Sequence, residues 1–172
     1  MSTASADAWT LTLPGYALVP AEARHAAFLE ELFMACERQK MGALPLSESD
    51  LTRLLAPQYA ARCAQYARDW PGASDLILTD GTRPIGHLLV DVSADPVHAI
   101  DAAILPAFQG RGVGTLMFRA LCAEAAARGR DVTLSTLDGG RPERLYRRLG
   151  FKVQARVAPY VSMIWTPARP TA

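Results

Sequence analysis

Three glycines in five residues, Gly110, Gly112 and Gly114, separate an apolar run that ends at Pro106 from a stretch of helical periodicity, and no other segment restricts the fold as tightly. Upstream, Val97 to Leu105 reads as a strand. Downstream, Val113, Leu116, Met117, Ala120 and Leu121 make one apolar stripe that Gly129 stops, so a long helix begins inside the glycine segment. Val132 to Leu137 is the next strand and runs into Asp138-Gly139-Gly140. A strand, a glycine turn, a helix and a strand in this order require one parallel pairing through a right-handed crossover. The same turn gathers unpaired N–H groups at the positive end of the helix dipole, with no side chains to hold a phosphate away.

The flanking segments set the class. A short extended piece, Tyr16 to Val19, precedes Pro20, which opens a helix with Phe28, Leu29, Leu32, Phe33 and Cys36 on its apolar face; Gly42 and Pro45 end it. Ser47, three residues before Asp50, caps a helix carrying Leu51, Leu54 and Leu55, and Pro57 restarts a second helical stretch through Tyr59, Cys63 and Tyr66. Leu76-Ile77-Leu78 and Ile85 to Val92 flank Asp80-Gly81, a hairpin signal. On the second of these strands Ile85, His87, Leu89 and Asp91 share a face. A short helix over about Pro142 to Leu149 and two strands, Phe151 to Val157 and Tyr160 to Trp165, complete the chain. The order predicts an α/β fold of the α+β type. One mixed, mostly antiparallel sheet of six to seven strands carries helices on both faces, in a single domain over 1–172 with its core at about 14–166 and frayed ends at Met1 to Ala8 and Pro167 to Ala172.

Composition removes several function classes. Lys and Arg number 18 against 17 Asp and Glu, a net charge of +1, so nothing favours nucleic acid or an anionic membrane as partner. No segment approaches the roughly 18 apolar residues of a membrane helix, and Met1 to Trp9 lacks the pattern of a secretory leader. Cys36, Cys63 and Cys122 have no pairing pattern and read as reduced, buried thiols of a cytoplasmic protein. His25, His87 and His98 are scattered without partner ligands, so no metal is expected.

Three phosphate-binding patterns compete for the glycine turn. Gly110 to Thr115 lacks the lysine of a nucleotide-triphosphate loop. A dinucleotide fingerprint needs a different glycine spacing and more chain downstream, although Asp138 at the end of the following strand keeps it open. Gln109-x-x-Gly112-x-Gly114 resembles the acetyl-CoA signature of the Gcn5-related N-acetyltransferases, the GNAT family. About 35 residues on, Leu145-Tyr146-Arg147-Arg148-Leu149-Gly150-Phe151 resembles that family's second signature, L-Y-x-x-x-G-F. In element order the resemblance covers Pro14 to Trp165.

What the resemblance implies is specific. It implies a GNAT-like acyl-CoA N-acyltransferase fold whose fourth and fifth strands, here Val97 to Leu105 and Val132 to Leu137, splay apart. Acetyl-CoA is the implied co-substrate, with no metal. The backbones of Ile104 and Leu105 would bond the pantetheine arm, and Gln109 with the loop Gly110, Arg111, Gly112, Val113, Gly114 and Thr115 would hold the pyrophosphate. Tyr146 takes the place of the general acid that protonates the departing thiolate; the alternative is a tyrosine that only packs its helix on the sheet. The chain departs from the family at Gly139 and Gly140, where an asparagine commonly contacts the cofactor.

The acceptor amine must shed a proton before it attacks. Asp101 on the fourth strand is the first candidate base, a capped or solvent-facing Asp being the alternative. His87 and Asp91 follow, and His25 and His98 read as surface or edge residues. Acceptor-pocket walls are expected from Tyr59, Tyr66, Trp70 and Tyr160. The expected activity is transfer of an acetyl group to a primary amine of a small molecule or peptide, with neither nucleic acid nor membrane as partner and a homodimer left open. The rival is a catalytically silent CoA-binding regulatory module.

Overall fold

The computed structural model describes residues 9–42 and 44–168; of the expected frayed ends, 1–8 and 169–172 lie outside them, while Pro167, expected to belong to the C-terminal one, is buried. Strand β1 (Ala17–Pro20) leads through a 3-10 turn into α1 (Ala26–Met41) and α2 (Glu48–Asp69). Then come β2 (Ser74–Thr79), β3 (Pro84–Asp91), β4 (Val97–Ile104), α3 (Val113–Ala127), β5 (Val132–Leu137), α4 (Arg141–Arg148), β6 (Lys152–Val157) and β7 (Tyr160–Trp165). One seven-stranded sheet runs β1-β2-β3-β4-β5-β7-β6. Every neighbouring pair is antiparallel except β4 and β5, the pair the α3 crossover requires.

Each element follows from its local chemistry. Asp80 fixes the β2–β3 hairpin by accepting bonds from the N–H groups of Thr82 and Arg83, both at 3.0 Å, beside Gly81 at φ +92°. Ser47 Oγ accepts from the Asp50 N–H at 3.1 Å and caps α2 as expected. Pro57 does not break that helix in two, however: α2 is continuous from Glu48 to Asp69 with Pro57 inside it. A proline there removes one backbone donor and costs about 3 kcal/mol. Gln58 Nε2 donates to the Leu54 carbonyl at 3.2 Å and so occupies an acceptor beside the gap. Leu51 and Leu55 meanwhile bury against Phe33 of α1, with the Tyr59 ring tilted at 41° against Phe33 at 5.3 Å. That burial offsets the missing bond.

The main core lies between α3 and the sheet. Leu88 and Val90 of β3, Val97 and Ala99 of β4, and Val113, Met117 and Leu121 of α3 all have less than 6% of their surface exposed. The other face of the sheet, carrying His87 and Leu89, turns toward α1 and α2. Of the cysteines only Cys122 is buried, against the expectation for all three; Cys36 is half-buried and Cys63 exposed, both on the wall of the cavity between the helices and the sheet, and all three are free thiols.

Two irregularities shape the middle of the sheet. Leu89 pairs with Asp101 and Val90 with Ala99, so Ile100 is an extra residue bulged out of β4. Val97 and Ala99 point into the α3 core, and without the bulge Asp101 would follow them. With it, Asp101 lies opposite Leu89 on the face toward α1 and α2. The pairing of β4 with β5 also stops here: it covers Val97–Val132, His98–Thr133 and Ala99–Leu134, and no further. Beyond Ala99 the two strands part, as the expected splay requires.

Candidate active site

The opening between β4 and β5 is the floor of a cavity of about 890 Å³. It runs from the helical half, where Phe33, Tyr59 and Tyr66 line it, past Asp101 and Tyr146 to the glycine turn before α3. A single continuous space thus joins an aromatic chamber to the cradle formed by the glycine turn.

The cradle is built from backbone. Gly110 at φ +77° and Gly112 at φ +81° take left-handed conformations that glycine adopts without strain, and Gly112 is the N-cap of α3. The first bond inside the helix runs from the Leu116 N–H to the Gly112 carbonyl at 3.0 Å, so the preceding N–H groups of the turn point away from the helix. A Cβ added at Gly112 would meet no atom within 4 Å, and one at Gly110 would lie 3.4 Å from Arg141 Nη2. The space in front of the turn is therefore open and has a guanidinium beside it. Arg141 and Arg148 line the cavity, whereas Arg111 stacks on Phe108 with its guanidinium 5.4 Å from the ring centre.

Gln109 turns inward and donates from Nε2 to the Ile104 carbonyl at 2.8 Å, which ties the turn to the end of β4. The Cys36 thiol donates to the same carbonyl at 3.6 Å. Leu105 gives its N–H to the Ile85 carbonyl at 2.8 Å and its carbonyl to Phe108. Alternation along an antiparallel strand then leaves the backbone groups of Ala102 and Ile104, not those of Leu105, facing the splay. Gly114 lies against β4 and α4, 3.5 Å from Ile104 Cδ1 and from Leu145 Cδ2 if given a Cβ, and so lets α3 approach both.

Tyr146 reaches the cavity from α4. Its ring meets Phe118 edge-on at 4.8 Å and Phe151 at 5.6 Å, and burial pushes its hydroxyl well above the ordinary phenol range. Helix α4 is held by a buried carboxylate that no motif in the sequence marks. Glu143, buried at 4% exposure, accepts from the Gly139 N–H at 2.6 Å, from Arg147 at 2.9 and 2.8 Å and from Arg156 at 3.0 Å. The Gly139 N–H bond, followed by Arg147, holds the Glu143 carboxyl below its usual range. Asp138 pairs with Arg156, so the loop in which the family's asparagine is missing is fastened within the protein.

Asp101 and His87, alternatives in the sequence, are neighbours: His87 Nε2 lies 3.2 Å from Asp101 Oδ2. Arg62 of α2 also pairs with that oxygen, its guanidinium over the rings of Phe33 at 5.2 Å and Tyr66 at 5.4 Å. Oδ2 is buried between these two groups, and neither contact on it is aligned as a hydrogen bond. On its other side His87 meets Asp75, with Nδ1 to Oδ1 at 3.0 Å. Arg62 and Asp75 escaped the sequence reading because only the fold brings α2 and β2 to β4.

The other candidates lie elsewhere. Asp91 accepts from the Ser93 N–H at 2.8 Å and hydroxyl at 2.6 Å, bonds that lower its pKa, the hydroxyl bond foremost. His98 stacks on Trp70 at 4.6 Å, with Nδ1 3.0 Å from Thr133 Oγ1, and burial pushes its pKa down. His25 Nδ1 accepts the Glu22 N–H at 3.0 Å in the turn before α1. Tyr59 and Tyr66 line the cavity; Trp70 and Tyr160 do not. Among the described residues no cluster of His, Cys, Asp or Glu has the arrangement of a metal site, and no helix is long and apolar enough to cross a membrane.

Residues 73–153 match the sequence family described as acetyltransferase (GNAT) domain. No curated protein is a significant match to the sequence. Among solved structures, the fold is similar to the PaiA N-acetyltransferase of Thermoplasma acidophilum in complex with coenzyme A. That likeness has a TM-score of 0.67 at 13% identity, over 88% of this chain and 98% of that one. A GCN5-related N-acetyltransferase from Rhodopseudomonas palustris gives a TM-score of 0.64 at 24% identity, over 90% and 98%. The ribosomal-protein-S18-alanine N-acetyltransferase of Escherichia coli gives 0.61 at 16%, over 91% and 96%. At these identities the likenesses establish the fold.

Proposed function

Because the chain carries the GNAT acetyltransferase domain over residues 73–153, we propose that its cavity brings acetyl-CoA and a primary amine together and transfers the acetyl group by direct attack in a ternary complex. The observation that carries this reading is the single cavity that joins the glycine cradle, the free edge of β4, the Asp101–His87 pair and Tyr146. The donors fit the co-substrate. The N–H groups of the turn, with Arg141 and Arg148, suit a pyrophosphate, and the Ala102 backbone and the Ile104 N–H suit the amides of a pantetheine arm.

Acetyl-CoA supplies an activated acyl group on a good leaving group, so the protein's work is orientation and proton handling. Asp101 and His87 take the proton that the ammonium form of the amine must lose. Tyr146 keeps its own proton and donates a hydrogen bond to the sulfur as negative charge develops there. Gln109 holds the cradle in register with the β4 edge, and the Phe33, Tyr59 and Tyr66 side receives the acceptor. Small-molecule amines and peptide N-termini are both acceptor classes this space admits, and the solved structure that acts on an alanine of a ribosomal protein supports testing the second. The expected setting is the cytoplasm.

The test is a calorimetric titration with acetyl-CoA, with NADH as control, followed by a thiol-release screen over small amines, amino acids and short peptides with free N-termini. Acetyl-CoA binding and thiol release with one acceptor class are expected. Binding without turnover on any amine would replace the enzyme by a CoA-binding regulatory module. NADH binding alone would overturn the cradle assignment.

A further inference from the structure

Asp75, His87 and Asp101 are arranged around one residue of the sheet. Leu89 of β3 pairs with Asp75 on β2 and with Asp101 on β4, so the two carboxylates flank it in one row. His87, two residues earlier on the same face, is the diagonal neighbour of both, which is within reach of a long or aromatic side chain. Hence one imidazole, 8% exposed, meets a different carboxylate at each nitrogen. His87 is the one ion-pair partner of Asp75 among the described residues.

An imidazole between two carboxylates has a restricted proton inventory. With an N–H on Nδ1 directed to Asp75, the Nε2 lone pair faces Asp101, and the Nε2 to Oδ2 contact holds either one proton or none. Charge then decides what each state is suited to. With that contact empty, Asp75, Asp101 and Arg62 sum to −1; with one proton in it, the group is neutral. A bound ammonium acceptor carries +1. Before transfer the group and the acceptor together are neutral, and after transfer each is neutral by itself. No uncompensated charge is left among these groups at either stage, which is the condition for moving a proton cheaply away from bulk water.

We propose that Asp75 is a positioning residue that holds His87 as the Nδ1–H tautomer, so that His87 Nε2 and Asp101 Oδ2 together receive the acceptor's proton. The step breaks one N–H bond of the ammonium and forms one N–H or O–H bond at the 3.2 Å contact. The freed nitrogen lone pair attacks the thioester carbonyl, and the C–S bond breaks as the N–C bond forms. The proton shed by the acylated nitrogen goes to the departing thiolate to give the free thiol, and the proton held at the contact passes to water after product release. The inference rests on the acetyltransferase reading. Other titratable groups share the cavity: Arg62, Tyr59, Cys63 and Tyr66 on α2, and Cys36, Glu37 and Lys40 on α1, where Lys40 pairs with Glu37 at 2.6 Å. Of these, Arg62 acts on the pair directly, through Asp101.

The test needs both spectroscopy and kinetics, on the full chain. Long-range proton–nitrogen spectra of protein labelled with nitrogen-15 histidine distinguish the two neutral tautomers at pH 9; the chain has three histidines, and His87→Gln identifies the signal. Wild type is expected to show Nδ1–H at His87, and Asp75→Leu, which removes the acceptor and puts no polar atom in its place, is expected to convert it to Nε2–H. With the amine found in the screen, Asp75→Leu and Asp75→Asn should lower kcat by about 10²- to 10⁴-fold, the contribution of a positioned base. They should also displace the acidic limb of the kcat–pH profile and leave the acetyl-CoA affinity within about twofold. An Nε2–H tautomer in wild type, or a kcat within about threefold of wild type with an unmoved acidic limb in both variants, overturns the proposal. Absence of thiol release from wild type would instead defeat the acetyltransferase reading, and the tautomer would still decide whether Asp75 orients His87.

Discussion

Tyr146→Phe removes one oxygen and leaves a ring that keeps its contacts with Phe118 at 4.8 Å and Phe151 at 5.6 Å. The hydroxyl makes no hydrogen bond among the described residues, so nothing is broken in the folded protein. The hydroxyl faces the cavity and is not a sealed, unpaired group. Its loss should therefore leave stability within about 0.5 kcal/mol, a change in Tm of at most about 2 °C for a chain of this size. Catalysis should change far more. A hydrogen bond aimed at developing charge is worth about 10²- to 10³-fold in kcat, or about 2.7–4 kcal/mol. Burial raises the Tyr146 pKa above that of a free phenol. The sign follows: the unfolded chain releases this proton first, so stability is full below about pH 10 and falls above it, and Tyr146→Phe should lessen that alkaline loss. Thermal melts at pH 7 and 11, calorimetry with acetyl-CoA and thiol-release kinetics measure all three quantities. A kcat equal to wild type, or a joint fall of kcat, affinity and Tm, would show that the residue only packs α4 on the sheet.

Other perturbations probe the cradle, the sheet and the thiols. Gly112→Asp puts a carboxylate into the open space before the α3 N-terminus, where like-charge repulsion of about 2–3 kcal/mol should weaken acetyl-CoA about 30- to 150-fold in calorimetry. Gly112→Ala, strained by the φ of +81° but uncharged, should lose much less, and equal losses would remove the phosphate assignment. Gly86→Ala drives a Cβ to 2.5 Å from the Ala103 carbonyl oxygen, and β4 has to move. Overpacking of this kind costs about 1–3 kcal/mol, so Tm should fall by about 3–10 °C; an unchanged melt would mean that the two strands are not so closely apposed. Iodoacetamide at pH 8 should modify exposed Cys63 first, with Cys122, buried and pushed up to about 12, reacting only on unfolding, as peptide mapping against time would show.

The sequence by itself determined the parts of this protein that depend on local chemistry. Glycines at 110 and 112, before a helical apolar stripe, had to make an anion-ready turn, because few other residues accept left-handed backbone and a helix N-terminus offers free N–H groups. Asp80-Gly81 had to reverse the chain, and Ser47 had to cap α2. The strand–turn–helix–strand order required one parallel pair and thereby placed β4 beside β5. Pro57 was misleading because a local rule met a tertiary contact: the burial of Leu51 and Leu55 against Phe33 keeps α2 whole.

The Asp101–His87 end of the cavity was decided by tertiary structure. Period-two alternation along β4 puts Asp101 on the face of Val97 and Ala99, in the α3 core, and only the bulge at Ile100 turns it to the cavity. Whether a strand bulges depends on what its partners require, and this bulge comes one residue after the last β4–β5 pair. Likewise, no spacing in the sequence links Arg62, Asp75, His87 and Asp101. A helix and three strands bring them together, and a charge in the interior is stabilised by whichever groups the fold sets against it.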